Sequence, residues 1–204
     1  MDRKILWVGL GSLSLIALAA LATFLFSKPA SFRGTSYSEP YPVAPEIELK
    51  QTDGEVFRLS DQKGEINLLF FGYTSCPDVC PTTMAELKLV REELGSRAGD
   101  VQVIFVSVDP EHDTPESVQE YVSRFDPTFI GLTGSSGVLT RLWDEYGIFR
   151  EIVKTDSALG YTINHTARVI LIDADGKMRL SYGFQTPVED IVHDLKILLK
   201  DVSF

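Results

Sequence analysis

The apolar positions of this 204-residue chain fall into distinct patterns, each tied to a kind of element. Residues Ile5 to Phe26 form 22 consecutive positions without a charge, enough for a helix across a hydrocarbon core that needs roughly 20 residues. Two short apolar runs follow, INLLFFGY at 66–73 and VQVIFVSVD at 101–109. Runs of this length read as strands buried in a sheet. Between them, Met84, Leu87, Val90 and Leu94 recur at three- and four-residue spacing among Glu and Lys, which predicts an amphipathic helix over about 81–94. In DTPESVQEYVSRF, Thr114 is placed to cap a further helix and Pro115 to occupy its first turn.

The remaining segments complete an order of elements. IELKQTDGEVFRLSD sets Ile47 and Leu49 before a TDG turn and Val56, Phe57 and Leu59 after it, a hairpin signal. A short strand near FIGLT, a helix across GVLTRLWDEYG with Trp143 and Tyr146 on its core face, the strand pair ARVILID and KMRLSYG, and a last helix over PVEDIVHDLKILLKD follow. There is no internal repeat. Strands alternating with helices, then a hairpin and a closing helix, predict an α/β fold with a mixed central sheet flanked by helices on both faces. That order is thioredoxin-like, with a β-hairpin added at the N-terminal side.

Charge divides the chain further. Arg3 and Lys4 precede the apolar span, so the positive-inside tendency leaves the N-terminus in the cytoplasm and exports everything after residue 26. A cleaved signal peptide is the competing reading. Its apolar region is typically about 7–15 residues, shorter than this one, and Lys28 stands in SKPAS where a cleavage site needs a small residue. An uncleaved single-pass anchor at residues 1–26 is therefore expected. No amphipathic Arg- and Ser-rich targeting segment precedes it, which favours a bacterial inner membrane with the soluble domain in the periplasm. SKPASFRGTSYSEPYPVAP, within 27–45, is Ser- and Pro-rich and reads as a flexible tether, leaving 46–204 as the domain. The chain carries a net charge of −10. An acidic body lacks the basic face that nucleic-acid binding needs.

The chemistry concentrates in FGYTSCPDVCP, which holds Cys76 and Cys80, the chain's 2 cysteines. Their spacing closes too small a loop for a structural staple, whose benefit grows with loop length. Pro81 suits a helix start, so the sulfur of Cys80 is expected near unpaired backbone N–H groups and the positive end of a helix dipole, which favours thiolate. A Thr83–Glu86 capping box is an alternative start. Three residues separate the cysteines, where redox motifs of this fold use two. The loop can bring the sulfurs together for oxidation or hold them around a soft metal such as copper(I) or zinc.

A third ligand would come from His112, His165 or His193. His193 lies in the last helix beside Asp194 and reads as a helix-flank residue. His112, in DPEHDTP, reads as part of a solvated turn. His165, in GYTINHTARVILID, ends an irregular loop at the entrance to a buried strand, a junction that faces the cysteine loop in a thioredoxin-like fold. Asp109 is expected to end a strand, and Asp113 or Thr114 to cap the following helix.

GYTSCPDVCPTT, VSVDPEHDTPE and INHTARVILIDADG, behind one N-terminal span, resemble the SCO/SenC family of copper-binding assembly proteins for cytochrome c oxidase. The resemblance covers about residues 45–200. It implies a mononuclear site for copper, as Cu(I) and also Cu(II), made by Cys76, Cys80 and His165. It implies as partners subunit II of the oxidase, whose dinuclear copper centre would be metallated, and another periplasmic copper chaperone. Family members often carry Asp where this chain has Asn164, and Arg where it has His112. The alternative is an enzyme, a thiol–disulfide oxidoreductase with Cys76 and Cys80 as catalytic pair that reduces the target's cysteines before metallation. A peroxide-reducing enzyme is disfavoured because Tyr73 stands where an activating Thr or Ser belongs, three residues before Cys76. A copper-dependent redox sensor is a further alternative.

Overall fold

The computed structural model describes residues 31–156 and 160–201. The expected span at Ile5–Phe26 lies outside them. Among the described residues no helix is long and apolar enough to cross a membrane.

The two apolar runs form the centre. Ile66–Gly72 (β4) and Val101–Ser107 (β5) pair in parallel, and all of β4 is buried. Ile130–Leu132 (β6) extends the sheet in parallel beyond β5. Arg168–Ile172 (β9) and Met178–Gly183 (β10) add antiparallel on the other side of β4. With Thr35–Ser36 (β1) at the edge, the order is β1-β10-β9-β4-β5-β6. Glu48–Lys50 (β2) and Val56–Arg58 (β3) form the expected hairpin.

Alternate residues of β4 meet opposite layers, as the strand's two-residue period dictates. Phe70 packs on Phe105, and Phe105 on Tyr121 of the helix Pro115–Ser123 (α2). Phe71 faces the other way and meets Tyr146, just past the helix Ser136–Glu145 (α3). Val79–Leu94 (α1) packs beside Val188–Asp201 (α4). Each fully buried ring or branched side chain contributes roughly 1.5–3 kcal/mol.

Local chemistry explains the helix ends. Thr114 and Ser117 exchange both bonds of a capping box, with Pro115 in the first turn. Gly95 ends α1 at φ +58°, a conformation glycine enters without steric cost, and its N–H reaches the Glu92 carbonyl. The start of α1 departs from the expected residue 81. The helix opens at Val79, so Cys80 and Pro81 both lie in its first turn. Proline fits there because first-turn N–H groups have no helical partner.

Two further departures stand out, the first at the site. The segment before His165 is no irregular loop: Arg150–Lys154 (β7) and Tyr161–His165 (β8) form an antiparallel pair outside the main sheet, with Arg150 opposite His165. The tether expected at 27–45 is bound to the domain from Arg33 onward. Thr35 and Ser36 pair with Ser181 and Leu180, Tyr37 N–H bonds the Arg179 carbonyl, and Val43 bridges Lys177. The N–H groups of Arg33 and Gly34 donate to the fully buried Asp194 carboxylate. Backbone pairing of this kind needs no apolar period, so composition alone reads the segment as free.

Candidate metal centre

At the C-terminal end of β4 the chain turns through Thr74 and Ser75, the Cys76 N–H closing on the Tyr73 carbonyl at 3.2 Å. Cys76 is half-buried outside α1 and Cys80 is buried inside its first turn. Neither is in a disulfide. The Cys80 N–H donates to the Cys76 sulfur at 3.4 Å. Gly72 makes the approach possible: a Cβ there would stand 2.9 Å from Cys80 Sγ and 2.8 Å from the Phe105 ring.

His165 ends β8 and brings Nε2 to 3.8 Å from Cys80 Sγ. Its Nδ1 faces the Thr166 carbonyl at 3.2 Å, an acceptor only, so Nδ1 carries the proton. Nε2 is then the atom presented to the sulfurs. The rings of Tyr73 and Phe70 meet the imidazole edge-on at 6.0 and 6.3 Å. Metal bonds of the zinc type, about 2.3 Å to sulfur and 2.0 Å to nitrogen, put two ligands at 120° about 3.7 Å apart. The Cys80–His165 separation matches. Among the described residues no three His, Cys, Asp or Glu side chains form a finished ion cage. The centre is an open cluster of two sulfurs and one nitrogen, beside a cleft of about 220 Å³ lined by Tyr73, Cys76, Pro77, Asp78 and Asn164 among others.

The two sulfurs differ in protonation, in the opposite sense to that expected from the helix start. A hydrogen bond from the Cys80 thiol, opposed by burial and aided by the N–H groups of Asp78 and Cys80, lowers Cys76 to about 4. The same bond, with burial and the neighbouring Cys76 charge, pushes Cys80 up. Cys76 is the thiolate and Cys80 the thiol, because Cys80 serves as donor.

The other expected candidates lie elsewhere. His112 is exposed, with Nδ1 3.0 Å from the Asp109 carboxylate and its ring stacked on Tyr161 at 4.8 Å. His193 Nδ1 rests on Asp194, beside the attachment of the N-terminal segment. Thr114 caps α2, whereas Asp113 accepts from Thr74 Oγ1 at 2.5 Å and Ser107 Oγ at 2.6 Å. Burial raises the Asp113 carboxyl. Tyr73 was not singled out as part of the centre: its hydroxyl lies 3.1 Å from Thr162 Oγ1 and accepts from the Ile163 N–H. A polar-tipped ring directly after a buried strand was the available signal.

A sequence profile of the SCO1/SenC family matches residues 35–200. The chain belongs to the SCO1/SenC family. It is 32% identical to the SCO2-like protein of Rickettsia felis over 192 residues, 94% of this chain and 92% of that one. Among solved SCO1/SenC structures, copper-bound ScoI of Bradyrhizobium japonicum superposes with a TM-score of 0.69 at 36% identity, over 76% of this chain and 99% of that one. BsSco, described as a member of the Sco family of cytochrome c oxidase assembly proteins with a disulfide switch, gives 0.61 at 25% identity over 79% and 96%. The thioredoxin-like fold expected from the element order is the SCO1/SenC fold.

Proposed function

We propose that this chain is a membrane-anchored copper chaperone. It binds copper through Cys76, Cys80 and His165 and delivers it to the dinuclear copper site of cytochrome c oxidase subunit II. The observation that carries the reading is the convergence of the three side chains at the end of β4, with Cys80 Sγ and His165 Nε2 at ligand spacing. Thiolate and imidazole are the ligand types that suit copper(I). A two-sulfur, one-nitrogen set open on one side suits an ion that must leave again by exchange with a partner's thiolates. Copper-bound ScoI supports copper as the ion. The family's description as cytochrome c oxidase assembly proteins supports the target. In this reading Ile5–Phe26 crosses a bacterial inner membrane and places the domain in the periplasm, where a second copper chaperone loads it.

The test is transfer. The chain loaded with one equivalent of copper(I) is mixed anaerobically with the reduced, metal-free copper domain of subunit II, and both are weighed by native mass spectrometry. Copper on the acceptor is the expected result. Copper retained by the chain at every ratio overturns the reading.

The unequal cysteines favour a second reading, thiol–disulfide exchange. The Cys76 thiolate attacks a disulfide of the target and forms a mixed disulfide. Cys80, losing its proton, then attacks Cys76 Sγ and releases the target as a dithiol, leaving a Cys76–Cys80 disulfide that an external thiol reductant must reset. Incubation of the copper-free reduced chain with disulfide-bonded acceptor decides it: one dithiol formed per chain supports exchange, and an unchanged acceptor excludes it.

A further inference from the structure

The strand that carries His165 belongs to a two-stranded sheet separate from the six-stranded one. Its placement against the cysteine loop therefore depends heavily on side-chain ties. Three are present. Tyr73 holds the middle of β8 at Thr162 and Ile163. Arg150 Nε, opposite His165 on β7, donates to the Val108 carbonyl at 2.5 Å. Tyr161, at the start of β8, donates its hydroxyl to Asp109 Oδ2 at 2.6 Å, and His112 covers its ring.

Asp109 is 1% exposed, and its carboxylate is engaged by both the Tyr161 hydroxyl and His112 Nδ1. Hydrogen bonds to an ionised acceptor are the stronger kind. Tyr161 and His165, four residues apart, share one face of β8, so a pull on one is transmitted to the other along a stiff strand. The same loop reaches the opposite half of the site, since Asp113 holds Thr74, two residues before Cys76.

We propose that Asp109, acting through Tyr161, is a positioning residue that holds His165 at copper-binding distance from Cys80, while Asp113 fixes the cysteine loop to the same segment. The loop between β5 and α2 thus sets the spacing between the sulfur half and the nitrogen half of the centre. This inference rests on the reading of Cys76, Cys80 and His165 as the copper ligands.

The experiment measures copper(I) affinity of the full chain by competition with a chromophoric chelator for Tyr161→Phe, Asp109→Asn, His165→Ala and the double variant Tyr161→Phe/His165→Ala. Tyr161→Phe removes one oxygen and keeps the ring. Should Asp109→Asn fail to fold, Tyr161→Phe decides alone. The expected result is a 10- to 100-fold loss for Tyr161→Phe and Asp109→Asn, the range found when an outer partner of a metal ligand is removed. X-ray absorption should then show two sulfurs kept and the nitrogen weakened. His165→Ala loses affinity at least as strongly, and adding Tyr161→Phe to it costs nothing further. Wild-type affinity in Tyr161→Phe and Asp109→Asn beside a loss in His165→Ala overturns the positioning role and leaves the copper site standing. Additive losses in the double variant overturn it as well. Wild-type affinity in His165→Ala removes the copper site itself.

Discussion

Cys76 and Cys80 are chemically alike and four positions apart, yet one is a thiolate and the other a thiol. The difference follows from which one donates. The folded Cys76 is lowered from 9.0 to about 4, chiefly by the Cys80 hydrogen bond. A depressed folded value means a stabilising contribution that is complete above the unfolded value and lost as pH falls through the folded one. Between about pH 4 and 9 the reduced domain therefore gains stability from this group as pH rises. Alkylation by iodoacetamide, followed by mass spectrometry, should label Cys76 with a midpoint near 4 and leave Cys80 unlabelled through neutral pH. A second residue-scale prediction concerns Gly72. In Gly72→Ala the added methyl meets Phe105, Cys80 Sγ and Phe70 below 3.0 Å. Overpacking of this sort costs about 1–3 kcal/mol, to be read from urea unfolding, and the displaced sulfur should weaken copper(I) binding in the same variant.

At the scale of elements, β4, β5 and β9 were legible because they are apolar and bounded by turns, β10 because the ADG turn pairs it with β9, and α2 because Thr114 and Pro115 mark its start. Thr114→Ala should cost about 1 kcal/mol, the usual worth of a cap, measurable as a lower unfolding midpoint with copper affinity unchanged. The β7–β8 pair was hidden. REIVK carries three charges, and four of the five residues of β8 are incompletely buried, so neither strand shows a clean two-residue alternation. The cysteine loop and His165 were readable from residue type and place. Tyr73, Tyr161, Asp109 and Asp113 were not readable in their roles, since each acts through a hydrogen bond to a residue between 39 and 90 positions away.

Across the whole molecule, the N-terminal segment and α4 are joined through one buried carboxylate. Asp194 accepts from Arg33 N–H, Gly34 N–H and the Tyr182 hydroxyl, and His193 Nδ1 lies 2.9 Å away. Asp194→Ala leaves these donors without their acceptor. With hydrogen bonds to a charged group worth about 1.5–3 kcal/mol each, a loss of about 3 kcal/mol is expected, together with faster amide exchange at Thr35–Tyr37, where the edge strand joins the sheet. The centre is built from a strand end, a helix start and the β7–β8 pair, none of which includes α4. X-ray absorption on the reduced chain loaded with one equivalent of copper(I), beside His165→Ala, tests that centre most directly. The expected spectrum has two sulfur ligands and one nitrogen, with the nitrogen absent in the variant. A copper bound only by sulfur in the unmodified chain, or a nitrogen that survives His165→Ala, would contradict it.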